Sequence, residues 1–176
     1  MHYPDPVYGT IELTEPVLLA LMQAPSMQRL QGVLQAGVTA LIGVRQPTTR
    51  FEHSLGVAWL VRSLGGSLEE QIAALLHDIS HTAFSHVIDY VFNNHHGQSF
   101  HEEEKESFLL AGELPGVLRQ FGYDWRDFLH EEGFGLLEQP APALCADRLD
   151  YFLRDSLSLN ILSSQDIQEL LPHLVV

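Results

Sequence analysis

One cysteine in 176 residues, Cys145, excludes an intramolecular disulfide. Lysine is almost as scarce: Lys105 stands alone, and the nine basic residues face 23 acidic ones for a formal charge of −14. That balance excludes a duplex-binding surface, because phosphate neutralisation needs clustered Lys and Arg. Short anionic substrates stay open to the chain where a metal and a few arginines invert the local field. No apolar run reaches the roughly 18 residues of a membrane span, and the opening MHYPDPVYG lacks the basic start and apolar stretch of a signal peptide. A cytoplasmic setting away from membranes is the expectation. There is neither an internal repeat nor a low-complexity tract. What is present is ordinary for a folding chain: 45% hydrophobic and 18% charged residues, too apolar for disorder. The length predicts a single domain over 1–176.

Local signals favour helices throughout. The prolines and glycine of MHYPDPVYG read as an extended or turn-like lead-in. TEPVLLALMQ offers Thr14 as a cap with Pro16 just inside, and SMQRLQGVLQAG offers Ser26 as a cap, Leu30, Val33 and Leu34 at helical spacing, and Gly37 as a stop. VTALIGV fits a brief strand and a turn equally well. HSLGVAWLVRSLGG aligns Leu55, Trp59 and Arg62 on one helical side, and SLEEQIAALLHD carries a capping box in Ser67 and Glu70. FSHVIDYVFNN and HEEEKESFLLAG predict two more helices, the second with acids in its first turn where the helix dipole favours them. Short helices and turns follow to residue 140. PALCADRLDYFLRDSL then turns Leu144, Leu149, Phe152 and Leu153 to a core, and SSQDIQELLPHLVV predicts a last helix. The fold class expected is all-α, a single helical bundle.

The chemistry concentrates in ALLHDISHTAFSH, residues 74–86. A carboxylate directly after a histidine at the end of an apolar helix asks for a partner or a metal. An imidazole and a carboxylate together suit Mn, Fe, Zn, Ni or Co without choosing among them. For the dipeptide by itself the plainer reading is the stronger one: a helix C-terminus, with His77 on a carbonyl and Asp78 in water. TRFEHSLGV adds His53 and ALCADRLDYFLRDS adds Asp147, so two histidines and two carboxylates from three helices can meet on one ion with positions left for water and a phosphate oxygen.

Taken in order, DPVYGTIEL, MQRLQGVLQAG, TTRFEHSLGV, ALLHDISHTAFSH, HEEE and ADRLDYFLRDS resemble the HD-domain metal-dependent phosphohydrolases, within them the deoxynucleoside triphosphate triphosphohydrolase branch of the dGTPase-like enzymes. The resemblance covers nearly the whole chain. It implies an HD-domain bundle in which His53, His77, Asp78 and Asp147 hold one divalent transition metal ion (Mn, Fe, Ni, Zn or Co, with Mg arriving on the substrate as the alternative). It also implies that His81 and His101 lie by the α-phosphate, where histidine suits proton donation to a leaving 5′-oxygen. On a helix, His77 and His81 would share a face. Asp89 and Glu102 match residues that orient the catalytic histidine. Arg50 matches a phosphate clamp; His86, Arg148 and Tyr151 match phosphate or pocket contacts; Asp155 and Gln35 match residues that touch the sugar. Each has a plainer reading as well: a solvated surface histidine, or packing and snorkelling for Tyr151 and Arg148. His2, His130 and His173 carry no motif and read as surface, as do His95 and His96 in a loop. Trp59 and Trp125 read as core.

Three departures from the branch shape the expectations. Ala36 replaces a leucine that excludes the 2′-hydroxyl, which opens the deoxy-versus-ribo choice. Gln23 and Gln31 replace an aspartate and an arginine that hold an activating guanine, which predicts no such allosteric site. The sequence runs only 21 residues past Asp155, where larger enzymes of the branch continue into a long helical portion, so fewer walls would surround a base. Hydrolysis of a (deoxy)nucleoside triphosphate to nucleoside and triphosphate is the leading expectation. A phosphomonoesterase on nucleoside monophosphates comes second, and a metal- and nucleotide-binding module without turnover third. The partners expected are a small nucleotide or phosphate ester and, from the family's habit of pairing, a homodimer.

Overall fold

A computed structural model describes residues 2–83 and 104–175. The predicted helix FSHVIDYVFNN, together with His86, Asp89, His95, His96, His101 and Glu102, lies outside the described residues. Strands β1 (His2–Asp5) and β2 (Gly9–Glu12) pair as an antiparallel hairpin, His2 opposite Glu12 and Asp5 opposite Gly9. Asp5 Oδ1 accepts the backbone N–H groups of Val7 (2.8 Å) and Tyr8 (3.1 Å), which closes the DPVYG loop locally as Asx turns do. Gly9 turns the chain at φ +77°, a conformation that suits glycine. The lead-in is therefore this hairpin. Among the described residues it is the only sheet, and the remainder is helical and all-α, as expected.

Helix α1 spans Pro16–Gln23 and α2 spans Pro25–Gln28, the latter running into a 3-10 turn at Arg29–Gly32. Neither expected cap serves. Glu15 occupies the N-cap of α1 with its carboxylate turned to the Thr14 N–H and to Arg62, and Ala24 caps α2 while Ser26 bonds Glu113. The predicted helix through Leu34 also stops early. Val33 is extended, and its carbonyl accepts the Arg50 N–H at 2.8 Å while Leu34 bridges Thr49, so a tertiary contact outcompetes the helical spacing. VTALIGV is neither strand nor simple turn: Val38–Leu41 forms a one-turn helix, α3, entered through Gly37 at φ +51°.

The scaffold of the molecule is α4 (Arg50–Ser63) against α5 (Leu68–Leu76) and α8 (Ala146–Ser158). Helix α4 opens on a capping box, with the Thr49 hydroxyl on the Glu52 N–H and the Glu52 carboxylate back on the Thr49 N–H. Phe51, Leu55, Val57, Leu60 and Val61 leave it apolar almost all round, the mark of a buried central helix. At α5 only half the expected box forms: Ser67 caps Glu70 N, while the Glu70 carboxylate accepts the Leu136 and Leu137 N–H groups across the fold. Helix α6 (Lys105–Ala111), α7 (Leu114–Gln120) and a 3-10 turn at Trp125–Phe128 cover one flank, and α9 (Ser164–Leu170) closes the chain with a Ser163–Asp166 capping box. On α8, Leu149 and Leu153 enter the core as expected. Leu144 (65% exposed) and Phe152 (52%) do not, because Leu144 precedes the helix start and the Phe152 position points away from α4.

Candidate metal centre

Three elements bring the ligand types together. His53 sits one turn into α4, His77 caps the C-terminus of α5 with Asp78 next to it, and Asp147 lies in the first turn of α8. The His53 Nε2 and His77 Nε2 atoms are 3.2 Å apart. Asp147 Oδ1 lies 2.9 Å from the first and 3.6 Å from the second. Asp78 Oδ1 is 3.7 Å from His77 Nε2, and Asp78 Oδ2 is 3.8 Å from His53 Nε2. Helix α5 ends at Leu76, so His77 and His81 do not share a helical face as the i, i+4 reading supposed. Residues 77–80 turn instead, and the turn brings His81 Nε2 to 3.2 Å from Asp78 Oδ1.

The other ring nitrogens explain why these atoms face each other. His77 Nδ1 lies 2.7 Å from the Ala74 carbonyl, which can only accept, and His53 Nδ1 lies 2.6 Å from the Asp150 carboxylate. Each ring therefore carries a proton on Nδ1, which makes Nε2 the nitrogen turned toward its neighbours, and His53 Nε2 meets the Asp147 carboxylate. The two Nε2 atoms converge with carboxylate oxygens, an arrangement that favours positive charge between them, whether protons on the rings or a metal ion in their place. The charges lean the same way: the four carboxylates Asp5, Asp78, Asp147 and Asp150 face two guanidinium groups, Arg50 and Arg154, and the excess of negative charge draws further cations to the histidines. Among the described residues, His53, His77 and Asp147 bring ligand atoms within 4.8 Å of one another, as do Glu138, Cys145 and Asp147. The donor set fits a transition metal.

The same field acts on protons. Burial works against a charged His53, but hydrogen bonds to Asp147 and Asp150 and the charge of Asp78 raise its pKa to about 10. His77 is raised against the same burial by Asp78 and Asp147. Burial opposes ionisation of Asp78, yet Arg50, at 2.6 Å, and the nearby histidines hold its carboxyl well below the usual carboxylate range. Asp147 is likewise lowered by His53 and His77 against its burial. A site so strongly attractive to positive charge could hold a metal ion, which would have to displace the protons that the raised histidines otherwise keep.

Beside this cluster opens a cavity of about 1180 Å³. Its lining places most of the sequence candidates: Gln35, Arg50, His81, Arg148, Tyr151 and Asp155 all reach it. Arg50 is engaged with Asp78 at the metal ligands, and Arg148 with Glu138 (2.6 Å) and the Ala143 carbonyl (2.5 Å). Asp155 pairs with Arg45 at 2.5 Å. His130, read as plain surface, also lines the cavity.

Several site residues were not singled out from the sequence. Arg45 and Lys105 line the cavity, Lys105 buried with its ammonium 2.7 Å from Glu131. Behind His53, Asp150, Arg154, Asp5 and Tyr8 form a buried network. The available signal was spacing: Asp150 and Arg154 are four apart in DYFLR, an ion pair on one helix face, and a charged pair on the buried side of a helix is rarely idle.

Compared with known proteins, the chain matches the HD domain model over residues 50–155. It is 46% identical over 170 residues to a metal-dependent phosphohydrolase of Cordyceps militaris, cns2, covering 97% of this chain and 49% of that one. It is 30% identical over 222 residues to the deoxynucleoside triphosphate triphosphohydrolase SAMHD1 of Danio rerio, covering 96% of this chain and 35% of that one. The crystal structure of a hypothetical protein from Aquifex aeolicus superimposes with a TM-score of 0.70 at 29% identity, over 92% of this chain and 47% of that one. The chain spans about half the length, or less, of these relatives.

Proposed function

The chain belongs to the HD-domain family, and from that premise we propose that it is a metal-dependent phosphohydrolase whose substrate is a (deoxy)nucleoside triphosphate, released as nucleoside and inorganic triphosphate. The observation that carries the reading is the convergence of His53, His77, Asp78 and Asp147 at the wall of a cavity of about 1180 Å³ that also holds Arg45, Arg50, Lys105 and Arg148. Four permanent cations are what a polyphosphate needs in a chain this acidic. The cavity is ample for a nucleotide. The names of the relatives, a metal-dependent phosphohydrolase and a deoxynucleoside triphosphate triphosphohydrolase, support the same reading.

A divalent ion held by those four residues would polarise a phosphoryl oxygen and lower the pKa of a bound water. The chain's own side chains do the rest. His81, buried beside the ligand Asp78, is placed to give a proton to the leaving oxygen. Arg50, its guanidinium on Asp78 at the cavity wall, fixes that ligand and adds positive charge beside the phosphates. Arg148 and Lys105 hold the outer phosphates, and Tyr151 with Asp155 meets the sugar. His101, Asp89, Glu102 and His86 keep the roles the resemblance gives them and lie outside the described residues.

The test is to incubate the purified protein with Mn(II) and a panel of deoxy- and ribonucleotides and to resolve the inorganic products by anion exchange. Triphosphate is the expected product. Orthophosphate alone would replace the reading with a phosphomonoesterase, and retained metal without any product would leave a binding module.

A further inference from the structure

Asp150 lies at the centre of a buried chain of contacts that starts at the metal ligands and ends in the N-terminal hairpin. Its Oδ2 takes the His53 Nδ1–H at 2.6 Å and the Arg154 Nε–H at 2.7 Å. Its Oδ1 takes the Tyr8 hydroxyl at 2.6 Å. Arg154 continues the chain through one nitrogen to Asp5 Oδ2 (3.0 Å) and to the Glu52 carbonyl in the first turn of α4 (2.9 Å). Asp5 spends its other oxygen on the DPVYG loop. At Gly56 a Cβ would lie 2.0 Å from Asp150 Oδ1, so only glycine lets α4 approach the carboxylate this closely.

We propose that Asp150 is a positioning residue of the metal centre, and that the loop from Asp5 to Tyr8 belongs to that centre through it. The inference rests on the metal-centre reading above. By accepting the Nδ1–H, Asp150 fixes the His53 tautomer and ring plane, so that Nε2 faces Asp147 and His77. Arg154 balances the carboxylate without reaching the ring, and Tyr8 locks its second oxygen against rotation. A network serving only the fold could end anywhere, whereas this one ends on the nitrogen opposite the one that faces the ligands. Linkage then follows: whatever seats the hairpin raises metal affinity, and bound metal holds the hairpin down by the same factor.

The probe is Co(II), titrated into the full chain against a chromophoric chelator while its visible band reports ligand geometry; melting is followed with and without the ion. Asp150→Asn is expected to weaken Co(II) about 10- to 100-fold and to alter the band, as lost partners of ligating histidines do. Tyr8→Phe removes one hydroxyl from an intact ring, so it stays available if Asp150→Asn fails to fold. Its expected loss is about threefold, with the Co(II)-dependent rise in melting temperature reduced in step. Variants that melt earlier yet bind Co(II) within twofold of the wild type, with an unchanged band, would overturn the proposal and leave the network purely structural. A wild-type chain that binds no Co(II) would overturn the metal-centre reading itself, which separates the two failures.

Discussion

Helix α8 has two polar sides, and they differ in kind. On the side facing α4, Asp150 and Arg154 have side chains only 0% and 4% exposed, with both Asp150 oxygens and the Arg154 Nε and one terminal nitrogen bonded inside the protein. On the side facing the cavity, the Arg45–Asp155 pair leaves 38% and 35% of its side chains in water, and Arg148 and Tyr151 stand beside it. Breaking a dry pair strands a charge and costs about 3–5 kcal/mol, whereas an exposed pair is worth about 0–1 kcal/mol. The inner side is therefore fixed and would hold the proposed ligands still. The outer side opens cheaply, so the proposed substrate can compete with its ion pairs there. Asp147, between them, belongs to both.

The contrast is broken most severely at the metal itself. Asp78→Ala removes one of the four proposed ligands and leaves the buried Arg50 without that carboxylate. We expect bound Mn(II), measured by elemental analysis, to disappear and turnover to fall at least about 10³-fold, since several kcal/mol of charge stabilisation leave with the ion. Full turnover by metal-depleted Asp78→Ala would sink the site. A smaller break enters from the packing side. Gly56→Ala drives a methyl group to 2.0 Å from Asp150 Oδ1 and 2.5 Å from an Arg154 nitrogen. Overpacking of this kind costs about 1–3 kcal/mol, and here it must also push the carboxylate off His53. A lowered melting temperature with lowered metal content is expected, and normal metal content would show that the inner side yields more than its burial suggests.

The division between the two sides also decides what the sequence made legible. The four proposed ligands, with Arg50, Arg148 and Tyr151 at the cavity, lie in short dense motifs, RFEH, LLHD and ADRLDY, where costly polar groups stand on otherwise apolar helices. Local pattern alone marks such groups as needing a partner or an ion. The inner network was harder to see because its members are far apart: Asp5 and Tyr8 meet Arg154 and Asp150 across more than 140 residues, and no local pattern announces that contact. The central runs of α4, α5, α8 and α9 follow from the sequence, although α4 begins at Arg50 on a Thr49 cap rather than at His53. Residues 26–41 do not, because the Val33 carbonyl finds Arg50 and Leu34 finds Thr49, and that tertiary pairing overrides helical spacing. Arg45 escaped notice for a similar reason: nothing near it in sequence hints at Asp155.

Arg45 tests the outer side with the smallest expected effect. Its guanidinium meets Asp155 in a half-solvated pair at the cavity wall, and neither residue touches the four ligands. Arg45→Met keeps most of the side-chain stem and deletes the charge. Because the pair is screened by water, stability should change by less than about 0.5 kcal/mol, and Co(II) affinity should match the wild type. What should move is KM for a triphosphate, rising about 3- to 10-fold with kcat unchanged, the signature of an interaction felt equally in the ground and transition states. A fall in kcat or in metal affinity would mean that the pair braces the ligands after all. In that case the two sides of α8 would form one rigid unit, and the cheap opening of the cavity side would have to be abandoned.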